Sequence, residues 1–383
     1  MYNDQQYNVF FELLRSGMWG SEPEVTTEFD DWDKVAKLAK SQSVLGIVGH
    51  VMLNSKNISH RIPESLKVKL KKFLISNIYT HNLLNNSLIK VVSVLNDGGV
   101  ESVLLKGQGL ARNYPNPELR QCGDIDLYVG CQNARLSQRL LAPIALAIDS
   151  EDVVDIGKHY QVAMQGGVDV EIHRYTDVPV VKKLRKAYQE ASDRGVSENL
   201  VPIDFAGISV NTPSDDFNAF YIFNHLFHHF LTSGIGLRQF CDWMMFLHTR
   251  KGKINLVYLE QLLTEMNLFR PWQAFGCVLV ELLGMPQDEF PFYDRSQQRK
   301  VDKIVRRVLE EGNFGKERKL VKNRGEAYWF GKARSFVFHI FRTCRLIMIF
   351  PLPAAQCFAG TFVNGFAAVW KDVNIKFKEC SFR

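Results

Sequence analysis

The chain has 383 residues, of which 46% are hydrophobic and 23% are charged, so it is long enough for two or three domains and too apolar for extended disorder. Its net charge of +6 suits an anionic ligand such as a nucleotide but is far from the charge density of a dedicated nucleic-acid binder. None of the seven cysteines forms a CxxC pair, which excludes a zinc ribbon, and the N-terminus lacks a signal-peptide pattern. Together these features predict a reduced, cytoplasmic protein.

Residues 1–98 are predicted to form a helical N-terminal domain. The segment "YNVFFELLRSG" has apolar residues at helical spacing and ends at Gly17. A second helical run extends from "DWDKV" to "GHVMLN". A third, "PESLK…NDGG", begins after a proline and ends at Gly98 and Gly99, which are the preferred places for these two residue types.

Residues 99–210 are predicted to form a small α+β core with a mixed sheet. The segment "VESVLLKG" predicts a strand that ends at Gly107, and "GDIDLYVG" predicts a second strand. We expect a helix over residues 131–148. The segment "HYQVAMQGGVDVEIHR" predicts a β-hairpin, because two alternating runs flank a pair of glycines.

Residues 211–312 are predicted to form a second helical domain, which gives an α+β core flanked by helices on both sides in sequence. The prefix "TPSDD" is a helix start, with Thr212 or Ser214 as the capping residue.

Residues 313–383 are predicted to form a tail that is basic at first and then apolar. Residues 346–370 contain no charged side chain, and this run is long enough to span a bilayer. Its two prolines and its polar residues disfavour a spanning helix. Attachment to a membrane or partner surface and packing against the rest of the protein both remain open, so the protein is expected to be cytoplasmic, with membrane association as the alternative.

Two aspartates in the second predicted strand are the first candidate site residues. Asp124 and Asp126 project to the same face, since side chains alternate across a strand. Two adjacent carboxylates repel each other unless a positive group lies between them. Mg²⁺, or alternatively Mn²⁺, prefers such oxygen ligands, whereas the plain alternative is a solvated strand end.

The second strand of the predicted hairpin adds further candidates. In "VDVEIHR", Asp169, Glu171 and His173 share one face. A third carboxylate from this strand would complete a metal site able to hold a triphosphate. Lys106 and Arg120 are cations that could offset phosphate charge, although a lone lysine is more commonly a surface residue.

These motifs resemble the nucleotidyltransferase superfamily that includes DNA polymerase β. More narrowly, "VLLKGQGL", "LRQCGDIDLYV", "VDVEIHR" and the downstream "GIGLRQFCDWMMFL" resemble a bacterial family of uncharacterised nucleotidyltransferases. The resemblance covers most of the chain, and its specific motifs lie in residues 103–174 and 234–247.

The resemblance implies roles for individual residues. Asp124 and Asp126 match the paired metal ligands, and Glu171 matches the third acid, with Asp169 as the second choice. The positions that match nucleotide-binding residues are Lys106, Gly107, Arg120, Gly123 and His173. One departure concerns the usual glycine–serine step of the wider superfamily, which is Gly107–Gln108 here, so a serine contact to phosphate is missing.

The resemblance implies a magnesium-dependent transfer of a nucleoside monophosphate from a nucleoside triphosphate to an unidentified small-molecule or protein acceptor, with release of pyrophosphate. Two alternatives stay open: a catalytically inactive nucleotide-binding protein, and a membrane-associated accessory protein of the same fold.

Three further residues are weaker candidates on the second helical domain. His225 and His229 have a spacing that can hold zinc, but lining an acceptor pocket or filling an interface is the simpler interpretation. Arg238 is spaced to pair with Asp242 on a helix, and it could instead face the active-site cleft.

Overall fold

The structure is a computed structural model that describes residues 5–179, 181–313 and 344–359. Its helices up to residue 313 are α1 (Gln5–Trp19), α2 (Trp32–Ser41), α3 (Leu45–Asn54), α4 (Glu64–Asp97), α5 (Gln108–Ala111), α6 (Gly130–Leu141), α7 (Glu151–Ile156), α8 (Arg185–Gly195), α9 (Asp215–Thr232), α10 (Leu237–Thr249), α11 (Leu256–Glu265), α12 (Phe269–Leu283) and α13 (Val301–Glu311). The strands are β1 (Val103–Leu104), β2 (Asp124–Tyr128), β3 (Ala147–Ile148), β4 (His159–Met164), β5 (Val168–His173), β6 (Val201–Phe205) and β7 (Ile208–Thr212). The predicted α+β class, a mixed sheet flanked by helices, is confirmed.

The N-terminal region is helical, as predicted, but two of its predicted details are wrong. The run from "DWDKV" to "GHVMLN" is broken into α2 and α3, with Ser43 at a φ of 56° between them. Gly17 lies inside α1, where a Cβ would come within 2.4 Å of Ile47, so this glycine allows α1 to approach α3. The chain leaves α1 at Gly20, whose φ is +72°.

The strands form one seven-stranded mixed sheet in the order β3-β4-β5-β2-β1-β7-β6. The pairs β2–β5 and β1–β7 are parallel, and the remaining neighbours are antiparallel. The hairpin β4–β5 turns at Gly166 and Gly167, both at positive φ, which confirms the predicted hairpin. This order places β2, with its two aspartates, in the middle of the sheet.

The two faces of the sheet have different chemistry. Apolar side chains of β2, β4 and β5 join residues of α4 and α6 in one hydrophobic core. The alternate residues of the same strands, which include Asp126 and Glu171, face the opposite way, because side chains alternate along a strand. Burial of the apolar face fixes the register, and the register in turn aligns the acidic face.

The expected helix over residues 131–148 is wrong in its second half. The helix α6 ends at Leu141, a short 3₁₀ turn containing Pro143 follows, and residues 147–148 form the edge strand β3. Proline inside a helix removes a hydrogen bond and clashes with the preceding turn, so the chain leaves the helix there. The β6–β7 hairpin, which extends the other edge of the sheet, was not predicted from the sequence.

The helices after the sheet share a second hydrophobic core with α1, α2 and α3. Ser214, one of the two predicted capping residues, caps α9 by accepting a hydrogen bond from the Phe217 N–H. Of the apolar C-terminal run, the described residues pack against this core: the Phe350 ring lies 5.3 Å from Phe227. Residues 360–370 of that run, and the basic stretch at 314–343, lie outside the described residues.

No helix in the described part of the chain is both long and apolar enough to cross a membrane.

Candidate functional site

The candidate acids lie on neighbouring parallel strands. In the register of β2 and β5, Asp124 is opposite Asp169, and Asp126 is opposite Glu171. Residues paired in this way project to the same face of the sheet with their side chains close together. The structure therefore brings together the acids that the sequence separates by about 45 positions.

Asp126 is the buried member of this group and has two cationic neighbours. Its Oδ1 lies 3.0 Å from Lys106 Nζ and 2.9 Å from His173 Nε2. Burial alone would raise the pKa of Asp126, but Lys106 and His173 outweigh burial and hold that pKa well below its usual range. Asp126 is thus a carboxylate that stays ionised although only 2% of it is exposed.

The other two acids have more contact with solvent. Burial of the Asp124 carboxyl, together with repulsion from Asp126, raises its pKa. The hydrogen bond from His173 lowers the pKa of Glu171. Asp169 is exposed, so Glu171, which is held 3.3 Å from His173 Nε2, is the more firmly positioned candidate for the third acid.

Asp124 and Asp126 line a cleft of about 580 Å³, a volume that includes space open to solvent. Its walls come from the ends of β1 and β2 on one side and from α9 and α10 on the other. The lining residues are Lys106, Gly107, Leu110, Arg120, Gly123, Asp124, Asp126, Ile222, His225, Arg238, Gln239 and Asp242.

Gly107 is required by the backbone at the point where β1 leads into α5. Its φ is +58°, and a Cβ there would lie 3.1 Å from the Asp124 carbonyl oxygen. Only glycine takes this conformation without strain, so the loop can pass close to β2. Gly123 differs, because its position is open and a Cβ would contact nothing within 4 Å.

Arg120 is committed to an ion pair inside the protein. Its Nε donates to Asp242 Oδ1 at 2.6 Å and its Nη2 donates to Asp242 Oδ2 at 2.8 Å. The Tyr114 hydroxyl donates to the same Oδ1 at 2.6 Å. The predicted ion pair between Arg238 and Asp242 within α10 is therefore wrong. Asp242 instead binds Arg120 across the interface between the sheet domain and α10.

Arg238 is the cation of α10 that lines the cleft. Its Nη1 donates to the Gln121 carbonyl oxygen at 2.8 Å, which fixes the guanidinium near the start of β2. Its Nε is buried and has no hydrogen-bond partner within the described residues. An anion in the cleft would supply an acceptor for such a group.

The histidines of α9 are partly buried, and the loss of hydration lowers the pKa of each of them. His225 lines the cleft, and burial, with Lys106 and His229 nearby, lowers its pKa well below the usual value. The rings of His225 and His229 lie 4.4 Å apart, and burial lowers the pKa of His229 to about 4. This arrangement fits the interface role better than a zinc site, since no carboxylate joins the pair within the described residues.

The acids at the sheet have the chemistry that a divalent cation prefers, but the ligand atoms of Asp124, Asp126 and Glu171 do not all lie within 4.8 Å of one another in the described residues, so side-chain movement is needed for them to share one ion. Asp124, Asp126 and Glu171 offer oxygen ligands of the kind that Mg²⁺ and Mn²⁺ prefer. Repulsion from Asp126 and Glu171 contributes to the raised pKa of Asp124, and a cation between these carboxylates would relieve it.

One residue of the site was missed at the sequence level. His159 of β4 is the register partner of His173, and its Nε2 lies 3.8 Å from Glu171 Oε2. Its signal was present in the sequence, because a hairpin centred on Gly166 pairs residue 159 with residue 173. His159, Glu171 and His173 form a group of possible metal ligands, to which Asp124 and Asp126 do not belong.

Comparisons with known proteins give one match to a family. A family model described as uncharacterised nucleotidyltransferase matches residues 29–284. Among solved structures, an antigenic nucleotidyltransferase-like protein from Paracoccidioides brasiliensis is similar at 14% identity, with 53% of this chain and 92% of that chain covered and a TM-score of 0.32. That TM-score is too low to support an argument, and no curated protein matches. The family match spans well over half of the chain and includes the whole sheet, and the chain therefore belongs to the family of uncharacterised nucleotidyltransferases.

Proposed function

We propose that the protein transfers a nucleoside monophosphate from a nucleoside triphosphate to an acceptor nucleophile and releases pyrophosphate. The observation that carries this proposal is the pairing of Asp126 with Glu171 across β2 and β5, next to Asp124 on the wall of a cleft that Lys106 and Arg238 also line. The acceptor would attack the α-phosphorus in line with the departing pyrophosphate. Positioning and charge stabilisation supply most of the catalysis in reactions of this type.

Two cations of the cleft would bind the triphosphate. Lys106 lies at the Gly107 turn, and its Nζ can move from Asp126 to a phosphate oxygen by side-chain rotation. Arg238 lines the same cleft, and its buried Nε has no hydrogen-bond partner within the described residues. Because Arg120 already donates to both oxygens of Asp242, we assign the phosphate contact to Arg238 and a structural role to Arg120.

Asp124 and Asp126, with Glu171 as the third acid, would hold Mg²⁺ or Mn²⁺. When bound there, the cation would neutralise charge on the phosphates and polarise the bond that breaks. Glu171 is better suited to holding the cation than to acting as a general base, because the His173 hydrogen bond lowers its pKa.

A transfer assay with matched variants tests the proposal. The full chain is incubated with each α-³²P-labelled nucleoside triphosphate and with cell extract as the acceptor source, with Mg²⁺ or with a chelator. We expect labelled product only with the metal, and a loss of about 100-fold or more in Asp126→Asn, because a charged group that acts on the transition state is removed.

Asp169→Asn is the matched control. Asp169 is an exposed carboxylate on the same face, so its loss should change transfer little. Equal activity of wild type and Asp126→Asn would contradict the proposal. Binding of the nucleotide by calorimetry without transfer to any extract component would instead indicate a binding protein.

A further inference from the structure

We propose that His159, Glu171 and His173 form a second cation position, selective for a divalent transition ion of the zinc type, beside the aspartate pair. The site shares Glu171 with the oxygen-only position of the proposed reaction and differs from it because its other two ligands are imidazole nitrogens. It rests on ligand geometry and does not require that the transfer reaction occurs.

The backbone brings these three side chains to one place. His159 and His173 are register partners on the antiparallel strands β4 and β5, and Glu171 is two residues before His173 on the same face. The two imidazole rings have centroids 5.0 Å apart. Strand pairing, rather than a mobile loop, therefore sets the positions of all three ligands.

Two distances between possible ligand atoms are close to those of a zinc site, although His173 Nε2 would have to exchange its contact with Asp126 Oδ1 for the ion. Glu171 Oε2 lies 3.3 Å from His173 Nε2 and 3.8 Å from His159 Nε2. Ligands bound tetrahedrally at about 2.0–2.1 Å lie roughly 3.3 Å from one another. All ligand atoms of the group fall within 4.8 Å of each other, so a small movement of side chains would complete the coordination.

The exposure of the residues fits an accessible site with a rigid base. The side chain of His173 is 3% exposed, whereas those of Glu171 and His159 are 22% and 35% exposed. An ion could therefore enter from the His159 side, with His173 held at the back. Three protein ligands leave a fourth position for water or for a substrate oxygen, as in sites where zinc takes part in chemistry.

The nitrogen ligands decide which ion is preferred. Imidazole suits zinc and neighbouring transition ions, whereas Mg²⁺ prefers an all-oxygen set. The polar face of β2, β4 and β5 would then carry two unequal positions that share Glu171, one for Mg²⁺ with Asp124 and Asp126 and one for a transition ion with His159 and His173. The shared face of β2 and β5 allows both to touch the same substrate.

Zn²⁺ binding to the full chain, measured by competition with a chromophoric chelator, tests this inference. We expect His159→Ala to weaken the tightest Zn²⁺ site by at least about tenfold, since loss even of an outer-shell partner costs that much. The His159 side chain is partly exposed, and its contact with Glu171 at 3.8 Å is too long for a hydrogen bond, so the variant should fold.

Two further variants make the result decisive. His60→Ala, which removes an exposed histidine from a 3₁₀ turn outside the sheet, should leave the affinity unchanged. Asp124→Asn should also leave the Zn²⁺ affinity within a few-fold of wild type. Equal Zn²⁺ affinity in His159→Ala and wild type would overturn the inference, and so would an equal loss in Asp124→Asn, which would place the ion at the aspartate pair. Failure of nucleotide transfer with normal Zn²⁺ binding would count against the proposed function alone.

Discussion

The buried pair of Arg120 and Asp242 gives the sharpest prediction about stability. The two side chains are 4% and 5% exposed, they share two hydrogen bonds, and the Tyr114 hydroxyl donates a third to the carboxylate. Replacing Asp242 by leucine would leave the guanidinium of Arg120 buried without its counter-charge. We expect the free energy of unfolding to fall by about 3–5 kcal/mol, the usual cost of breaking a buried ion pair from one side.

A double variant separates the cost of one unpaired buried charge from the net contribution of the ion pair to stability. Substituting Arg120→Met together with Asp242→Leu removes both charges and fills the space with apolar atoms. Because exchanging a whole buried pair for apolar residues is often close to neutral, the double variant should recover most of the loss. The sum of the two single effects should then exceed the effect of the double variant by several kcal/mol.

Urea unfolding followed by circular dichroism measures these values. The control is Asp155→Leu, which breaks an exposed ion pair between Asp155 and Arg135 and should have no measurable effect. If Asp242→Leu were as mild as the control, or if the two single losses were additive, the pair would not be the buried structural contact described here. A large loss of nucleotide affinity in Arg120→Met without loss of stability would restore Arg120 to a phosphate-binding role.

Three further predictions concern the cleft and the histidines next to it. Lys106→Met should tighten Mn²⁺ binding in the absence of nucleotide by about tenfold, because Lys106 competes with the ion for Asp126. The same variant should weaken nucleotide binding by about tenfold, because Lys106 can also bind phosphate. Calorimetry measures both affinities. Gly107→Ala should lower the free energy of unfolding by at least about 1–2 kcal/mol because of its positive φ, whereas Gly123→Ala, at an open position, should not. The free energy of unfolding should fall by about 1–2 kcal/mol between pH 7 and pH 5 through His229, because the pKa of this imidazole is near 6.5 in the unfolded chain and about 4 in the folded chain. Urea unfolding of His229→Gln should show a smaller loss over the same pH range.

The elements that determine the site could be predicted because each has a local cause. The alternation of "GDIDLYVG" and "VDVEIHR" reflects one buried and one polar face, and the paired glycines between β4 and β5 fix the hairpin register. Local pattern does not decide which distant strands pair. The parallel contact of β2 with β5, which sets Asp126 opposite Glu171, was not predicted from the sequence, which indicated only that the third acid lies on a neighbouring strand.

The errors have the same physical origin. The ion pair of Arg120 was not predicted, because its partner, Asp242, lies more than a hundred positions away and only tertiary packing brings the two together. Gly17 was taken as a helix end because glycine is a common stop signal, whereas its role is to allow the close approach of α3. In each case a residue type with a strong local meaning serves a long-range contact.

The environment of Asp126 connects stability and function in this site. A buried carboxylate is costly unless cations surround it, and Lys106 and His173 supply that charge within the protein. A substrate that brings both a metal cation and phosphate oxygens can exchange these contacts, since the cation replaces Lys106 at Asp126 while Lys106 turns to the phosphate. The cation alone would displace Lys106 from Asp126 and leave the lysine without an anion. The phosphate alone would draw Lys106 away and leave Asp126 with less positive charge around it. The cleft should therefore bind metal and nucleotide cooperatively, and a site of this kind favours the complex of the two over either one.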